Sequence, residues 1–260
     1  MVMADQQTVD SINLRAIDGQ GLRNTEAIIY LSGSTVEGFA NSGSDIDVFA
    51  ITERRPSGYD SSHSQNGVTI DFVENRRIDI EFWSPATVFG IADKLAIIRP
   101  EDATARAFSS GEQLFVHRLR IGMPIQRERE FLAIRNRFDF LRLSKYLTQD
   151  AIVGLDNALD DLCGMIADCD WECALFRARD VLDFTIDAWN HFAGSTNPTR
   201  KWRVKILHKL EPEARNQEVL AGYLKLAFEG GYSLEKTEQC RRHLEDCICF
   251  SNQVTRWIQS

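Results

Sequence analysis

Leu31-Ser32-Gly33-Ser34-Thr35-Val36-Glu37-Gly38-Phe39-Ala40-Asn41-Ser42-Gly43-Ser44-Asp45-Ile46-Asp47-Val48 decides how this chain is read. It joins the end of an apolar run, residues 27–31, to a Gly-Ser turn, a short helix start and a second run, residues 46–52, that predicts a strand. Side chains alternate across a strand, so Asp45 and Asp47 project from one face while Ile46 and Val48 turn into the core. Two like charges held so close repel, and one tends to stay protonated unless a cation lies between them. A hard divalent ion such as Mg2+, bound through oxygen ligands, suits the pair. Gly33 lets the backbone approach an anion, and the free N–H groups of a helix start attract phosphate. Ser34 and Glu37 have the spacing of a capping box.

Working outward, residues 68–73 and 78–83 are further β-branched and aromatic runs. Glu74-Asn75-Arg76 between them predicts a tight hairpin connection and hence antiparallel pairing. Residues 54–67, rich in Ser, Gly and Pro, predict an exposed loop. In Arg76-Arg77-Ile78-Asp79-Ile80-Glu81-Phe82-Trp83 the two acidic residues again share a face. If this strand neighbours the first acidic one, Asp79 or Glu81 supplies a third carboxylate.

After Pro85 the pattern turns helical, and Gly122-Met123-Pro124 interrupts it, which predicts a domain boundary there: 1–123 and 124–260. Residues 127–148, 149–168, 171–192, 199–210, 213–229 and 233–258 carry apolar residues at three- and four-residue spacing, with no strand expected among them. Leu175, Ala178, Leu182, Ile186 and Trp189 form one stripe, the mark of a helix packed in a bundle. The fold class expected is α/β of the α+β kind: a small mixed sheet with helices, followed by an all-α bundle.

Composition limits the alternatives. Of 260 residues 43 % are hydrophobic and 26 % charged, which excludes collagen-like and mostly disordered classes. No apolar run approaches the roughly 20 residues of a membrane-spanning helix, and the polar start predicts a cytoplasmic protein without a secretory leader. The net charge is −8, and residues 1–125 hold 17 acidic against 11 basic residues. That excess disfavours nucleic acid as the main partner and suits a metal-binding carboxylate cluster. Six cysteines without a CxxC pair predict reduced, buried helix residues, and no histidine pair has zinc-ligand spacing.

A hydrophobic residue, Gly33-Ser34, ten residues, then Asp45-Ile46-Asp47-Val48 resembles the signature of the DNA polymerase β-like nucleotidyltransferase superfamily, over roughly residues 25–95. A small N-terminal catalytic domain followed by helices is similar to the two-domain aminoglycoside-type nucleotidyltransferases. The resemblance implies that Asp45, Asp47 and a third acidic residue hold Mg2+, two ions in all, while Gly33 and Ser34 bind the phosphates of ATP or another NTP. It implies transfer of an NMP, AMP from ATP, to a hydroxyl of a small molecule, with release of pyrophosphate. Asp79 matches the third position best, and Glu81, in register, serves as base or lines the acceptor pocket.

The resemblance also implies that cations of the helical half reach the triphosphate, and Lys201 or Arg203 in Asn197-Pro198-Thr199-Arg200-Lys201-Trp202-Arg203 suits that role. Positive charge at a helix start is otherwise unfavourable without a carboxylate or anion nearby. Trp171, Trp189 and Trp257 are expected in the core, Trp83 beside the nucleotide or acceptor. A homodimer is consistent with such bundles. The competing functions are modification of a protein or tRNA, as in toxin and antitoxin relatives, and non-catalytic nucleotide binding.

Overall fold

The computed structural model describes residues 21–53 except 24, 67–105 except 74, 107–210, 213–229 and 237–260. Residues 54–66 of the loop expected at 54–67, Glu74 of the hairpin turn and residues 1–20 of the polar start lie outside the described residues, and Gly67 begins β3. The chain divides into two compact units, Met1–Ile97 with Phe115–Asp139, and Ile98–Leu114 with Phe140–Ser260.

The first unit is built on a five-stranded mixed sheet: β1 (Ile28–Ser32), β2 (Ile46–Ile51), β3 (Gly67–Val73), β4 (Arg76–Trp83) and β5 (Met123–Gln126), in the spatial order β3-β4-β2-β1-β5. A short helix α1 (Gly33–Glu37) leaves β1, and α2 (Pro85–Ile97) follows β4. β3 and β4 pair antiparallel as their connection predicts, with Asn75 in the left-handed region at φ 63°. β2 and β4 pair parallel, Asp47 opposite Asp79 and Phe49 opposite Glu81. One face of the sheet carries Ile29, Leu31, Ile46, Val48, Ala50, Ile78 and Ile80, all buried, in one apolar cluster. Each isoleucine, leucine and valine among them contributes about 1.5–3 kcal/mol by leaving water. The opposite face therefore receives Asp47, Phe49, Asp79 and Glu81.

β5 departs from the reading of Gly122-Met123-Pro124 as an interruption with no strand beyond it. It pairs antiparallel with β1, Tyr30 opposite Pro124. Its outer position explains how a proline is tolerated, since an edge strand has no second neighbour to receive the missing N–H. Helix α3 (Ser110–Ile121) precedes it and α4 (Glu128–Arg135) follows. From these, Phe115 packs on Trp83 with ring centres 4.1 Å apart and Phe131 on Tyr30 at 4.9 Å.

The second unit is helical: α5 (Phe140–Ala167), α6 (Trp171–Phe192), α7 (Arg203–Lys209), α8 (Ala214–Leu224) and α9 (Thr237–Gln259), with a π-helical turn at Lys225–Glu229. The expected break at 148/149 is absent, because α5 runs unbroken from Phe140; the helix before it stops instead at Asn136. Ala178, Leu182, Ile186 and Trp189 of the predicted stripe join the buried core, where Leu155, Leu162, Leu244 and Val254 meet them, and Trp171 and Trp257 pack against it. Asp170 caps α6 by accepting from Cys173 N. Of the six cysteines, expected to be buried, only Cys240 and Cys247 are; Cys163, Cys169, Cys173 and Cys249 are exposed. No described helix is long and apolar enough to cross a membrane.

Candidate active site

The turn after β1 is shaped by Gly33, whose φ of 76° lies in the left-handed region. A Cβ there would collide with the carboxylate of Asp47, because Ser32 and Asp47 are paired across β1 and β2. Glycine at this position thus removes both a conformational penalty and a steric one. The capping box expected between Ser34 and Glu37 does not form: α1 starts at Gly33, so Ser34 lies inside the helix. Glu37 instead meets the buried His117, Oε2 to Nε2 at 3.4 Å.

The structure brings Asp47, Asp79 and Glu81 onto adjoining strands and sets Asp45 immediately before β2. Two arginines are interleaved with these carboxylates. Arg77 donates from Nε to Asp79 Oδ1 at 2.7 Å and from Nη2 to Asp79 Oδ2 at 2.8 Å, and its Nε stands 3.9 Å from Asp45. Arg118, from α3, donates from Nη1 to Glu81 Oε2 at 2.9 Å and from Nη2 to Asp47 Oδ1 at 3.3 Å. Trp83, expected beside a ligand, is buried and donates from Nε1 to the other Glu81 oxygen at 2.8 Å. Burial pushes the Glu81 carboxyl up, against the pull of Arg118 and the Trp83 hydrogen bond. Burial likewise lifts the Tyr30 phenol beneath this face well above its ordinary value.

Among the described residues, no three acidic, histidine or cysteine side chains converge as ligands of one ion. The donor set is nevertheless of the kind a hard divalent ion takes: carboxylates on adjoining strands, with the Asp47 carboxylate seated in the space that Gly33 leaves. Arg77 is the cation lying across Asp45 and Asp79, on a half-exposed side chain. Sequence reading missed Arg118, which resembles any other basic residue near a helix C-terminus. The one available signal was its place on an otherwise apolar stripe with Phe115 and Leu119.

Lys201 and Arg203 belong to the second unit. Arg203, at the start of α7, donates from Nε and Nη2 to Asp187 at 2.6 and 2.8 Å and from Nη1 to Asp183 at 2.9 Å. These carboxylates of α6 offset the unfavourable positive charge at a helix start. Its backbone carbonyl accepts from Asn190 Nδ2. Lys201 is exposed, its Nζ 4.9 Å from the centre of the Trp202 ring.

Residues 21–101 match the family model described as "Nucleotidyltransferase domain". A nucleotidyltransferase-like protein from Exiguobacterium sibiricum, known from its crystal structure, is similar in fold, with a TM-score of 0.51 and 11 % identity over 94 % of this chain and 75 % of that one. No curated protein matches. The Gly-Ser turn, the Asp-Ile-Asp strand and the in-register acidic strand all fall inside the matched segment, and residues 21–101 of this chain are a nucleotidyltransferase domain of the DNA polymerase β-like superfamily.

Proposed function

We propose that this protein transfers a nucleoside monophosphate, AMP from ATP, to a hydroxyl of a small molecule, with release of pyrophosphate. The observation that carries the reading is the register of Asp47 against Asp79 on parallel strands, with Gly33 beside Asp47. Asp45, Asp47 and Asp79 are the residues that would hold Mg2+, which when bound neutralises charge on the triphosphate and on the leaving pyrophosphate. Backbone N–H groups at Gly33 and Ser34 face the phosphates. Ile46 and Val48, locked in the core, keep the Asp-Ile-Asp pair from rotating away. The acceptor hydroxyl gives its proton to a carboxylate of β4 as its oxygen attacks the α-phosphorus, and the bond to the β-phosphate oxygen breaks with its electrons on pyrophosphate.

The test is incubation with labelled NTPs and Mg2+ against a panel of hydroxyl-bearing small molecules, beside Asp47→Asn. Label on a small molecule, lost in the variant, is the expected result. Label on protein or RNA instead moves the acceptor to the macromolecular class. A non-catalytic, nucleotide-binding role is the second reading, favoured by the engagement of all four carboxylates by Arg77 and Arg118. Tight nucleotide binding with no transfer to any acceptor establishes it.

A further inference from the structure

Arg118 is held from several sides. Its guanidinium bridges Glu81 at 2.9 Å and Asp47 at 3.3 Å, lies 5.0 Å from the centre of the Phe49 ring, and is set in place by a backbone carbonyl that accepts from Ser32 Oγ at 2.8 Å. Ser32 is the residue paired with Asp47 across the sheet. α3 is therefore fastened to β1 and β2 at the row where the site begins.

Glu81 has both oxygens engaged, Oε1 by Trp83 Nε1 and Oε2 by Arg118 Nη1. Trp83 is buried against Phe115, so this end of the chain of bonds is anchored in the core. Asp47 is restrained at Oδ1 by Arg118, while its Oδ2 is the atom nearest the Gly33 turn. Coulomb's law alone makes a guanidinium beside a cation-binding carboxylate a competitor for that cation. A fixed arginine here is justified if what it supplies is orientation.

We propose that Arg118 is a positioning residue that fixes the Asp47 side chain, and that Glu81 is its counter-charge rather than a group that meets substrate. This rests on the transferase reading above, and it assigns the carboxylate of β4 that faces the acceptor to Asp79.

The test titrates Mn2+ into the full chain and follows it by electron paramagnetic resonance, which gives an affinity and a line shape without turnover. The labelled-NTP assay gives kcat and KM on the same samples. Arg118→Met is expected to bind Mn2+ no more weakly than wild type, since a competing charge is gone, with an altered line shape and kcat lower by about 100-fold, the order expected for a misplacement of about 1 Å. Glu81→Gln is expected to behave alike, and the double variant to be no worse than Arg118→Met alone, because members of one network do not add. Arg118→Lys, which reaches one carboxylate at a time, recovers part of both quantities. Should Arg118→Met not fold, Glu81→Gln and Arg118→Lys carry the comparison.

The proposal is overturned if Glu81→Gln abolishes kcat with a wild-type line shape, if the two single effects multiply, if Arg118→Met changes neither readout, or if wild type binds no Mn2+. Normal Mn2+ behaviour with no transfer to any acceptor sinks the transferase reading only, and the line shapes still decide on Arg118.

Discussion

Gly33 and Asp47 are matched by shape: the glycine adopts φ 76°, and the space a side chain would take there is filled by the Asp47 carboxylate. Gly33→Ala is expected to displace that carboxylate and abolish NMP transfer. Thermal unfolding should shift far less, because α1 contains no buried residue. A variant that keeps wild-type turnover would show that the close approach has no bearing on chemistry.

Arg203 joins two carboxylates of α6 with an 11 % exposed side chain. Its removal leaves Asp187 partly buried without this cation, while Asp183 retains Arg179 at 3.3 Å and the Tyr223 hydroxyl. Arg203→Ala is expected to lower stability by about 3 kcal/mol in urea unfolding, with Arg203→Lys intermediate because a point charge lacks the fork. Loss of nucleotide affinity without loss of stability would instead give Arg203 a direct role with phosphate.

Tyr223 donates to Asp183 Oδ1 at 2.8 Å, and burial, with that carboxylate beside it, pushes its phenol up to about 12. The folded value lies above the ordinary one of 10.0. The stability linked to the neutral phenol is therefore complete below pH 10 and lost as pH rises through about 12. In denaturant titrations Tyr223→Phe should flatten the decline across that interval, and an unchanged slope would contradict the assignment.

The cysteines should divide by exposure. Burial pushes the Cys247 thiol up to about 12, and Cys240 is fully covered, while the other four are exposed. Alkylation of the native protein near pH 8, read by mass spectrometry, is expected to modify Cys163, Cys169 and Cys249 promptly, Cys173 more slowly because Asp170 beside it pushes its thiol up, and the remaining two only after unfolding. Prompt modification of all six would mean that α9 opens readily.

The sheet was legible because β2 and β4 alternate cleanly between apolar core residues and acids, and the turn residues between β3 and β4 fix their pairing. β5 was not, since four residues beginning Met123-Pro124 carry too short a pattern to outweigh a proline. Spacing alone put the acids of each strand on one face, and the pairing of β2 with β4 sets Asp47 opposite Asp79. Spacing did not reveal their partners: Arg77 lies two residues from Asp79 but looks like a hairpin charge, and Arg118 reaches Asp47 from a distant helix. The basic start of α7 posed a solvable question, and α6 answers it with Asp183 and Asp187. The helix split at 148/149 failed because the polar run Thr148-Gln149-Asp150 looks like a break, while Leu143, Leu147, Ala151, Leu155, Ala158 and Leu162 form one unbroken buried stripe through it.

The parallel pairing of β2 with β4 makes the acidic row depend on parity. Adding or deleting one residue inside either strand would turn its acids inward and its isoleucines to water, so such changes are expected to be lethal to folding as well as to chemistry. Length changes in the segment between β2 and β3 leave that parity untouched.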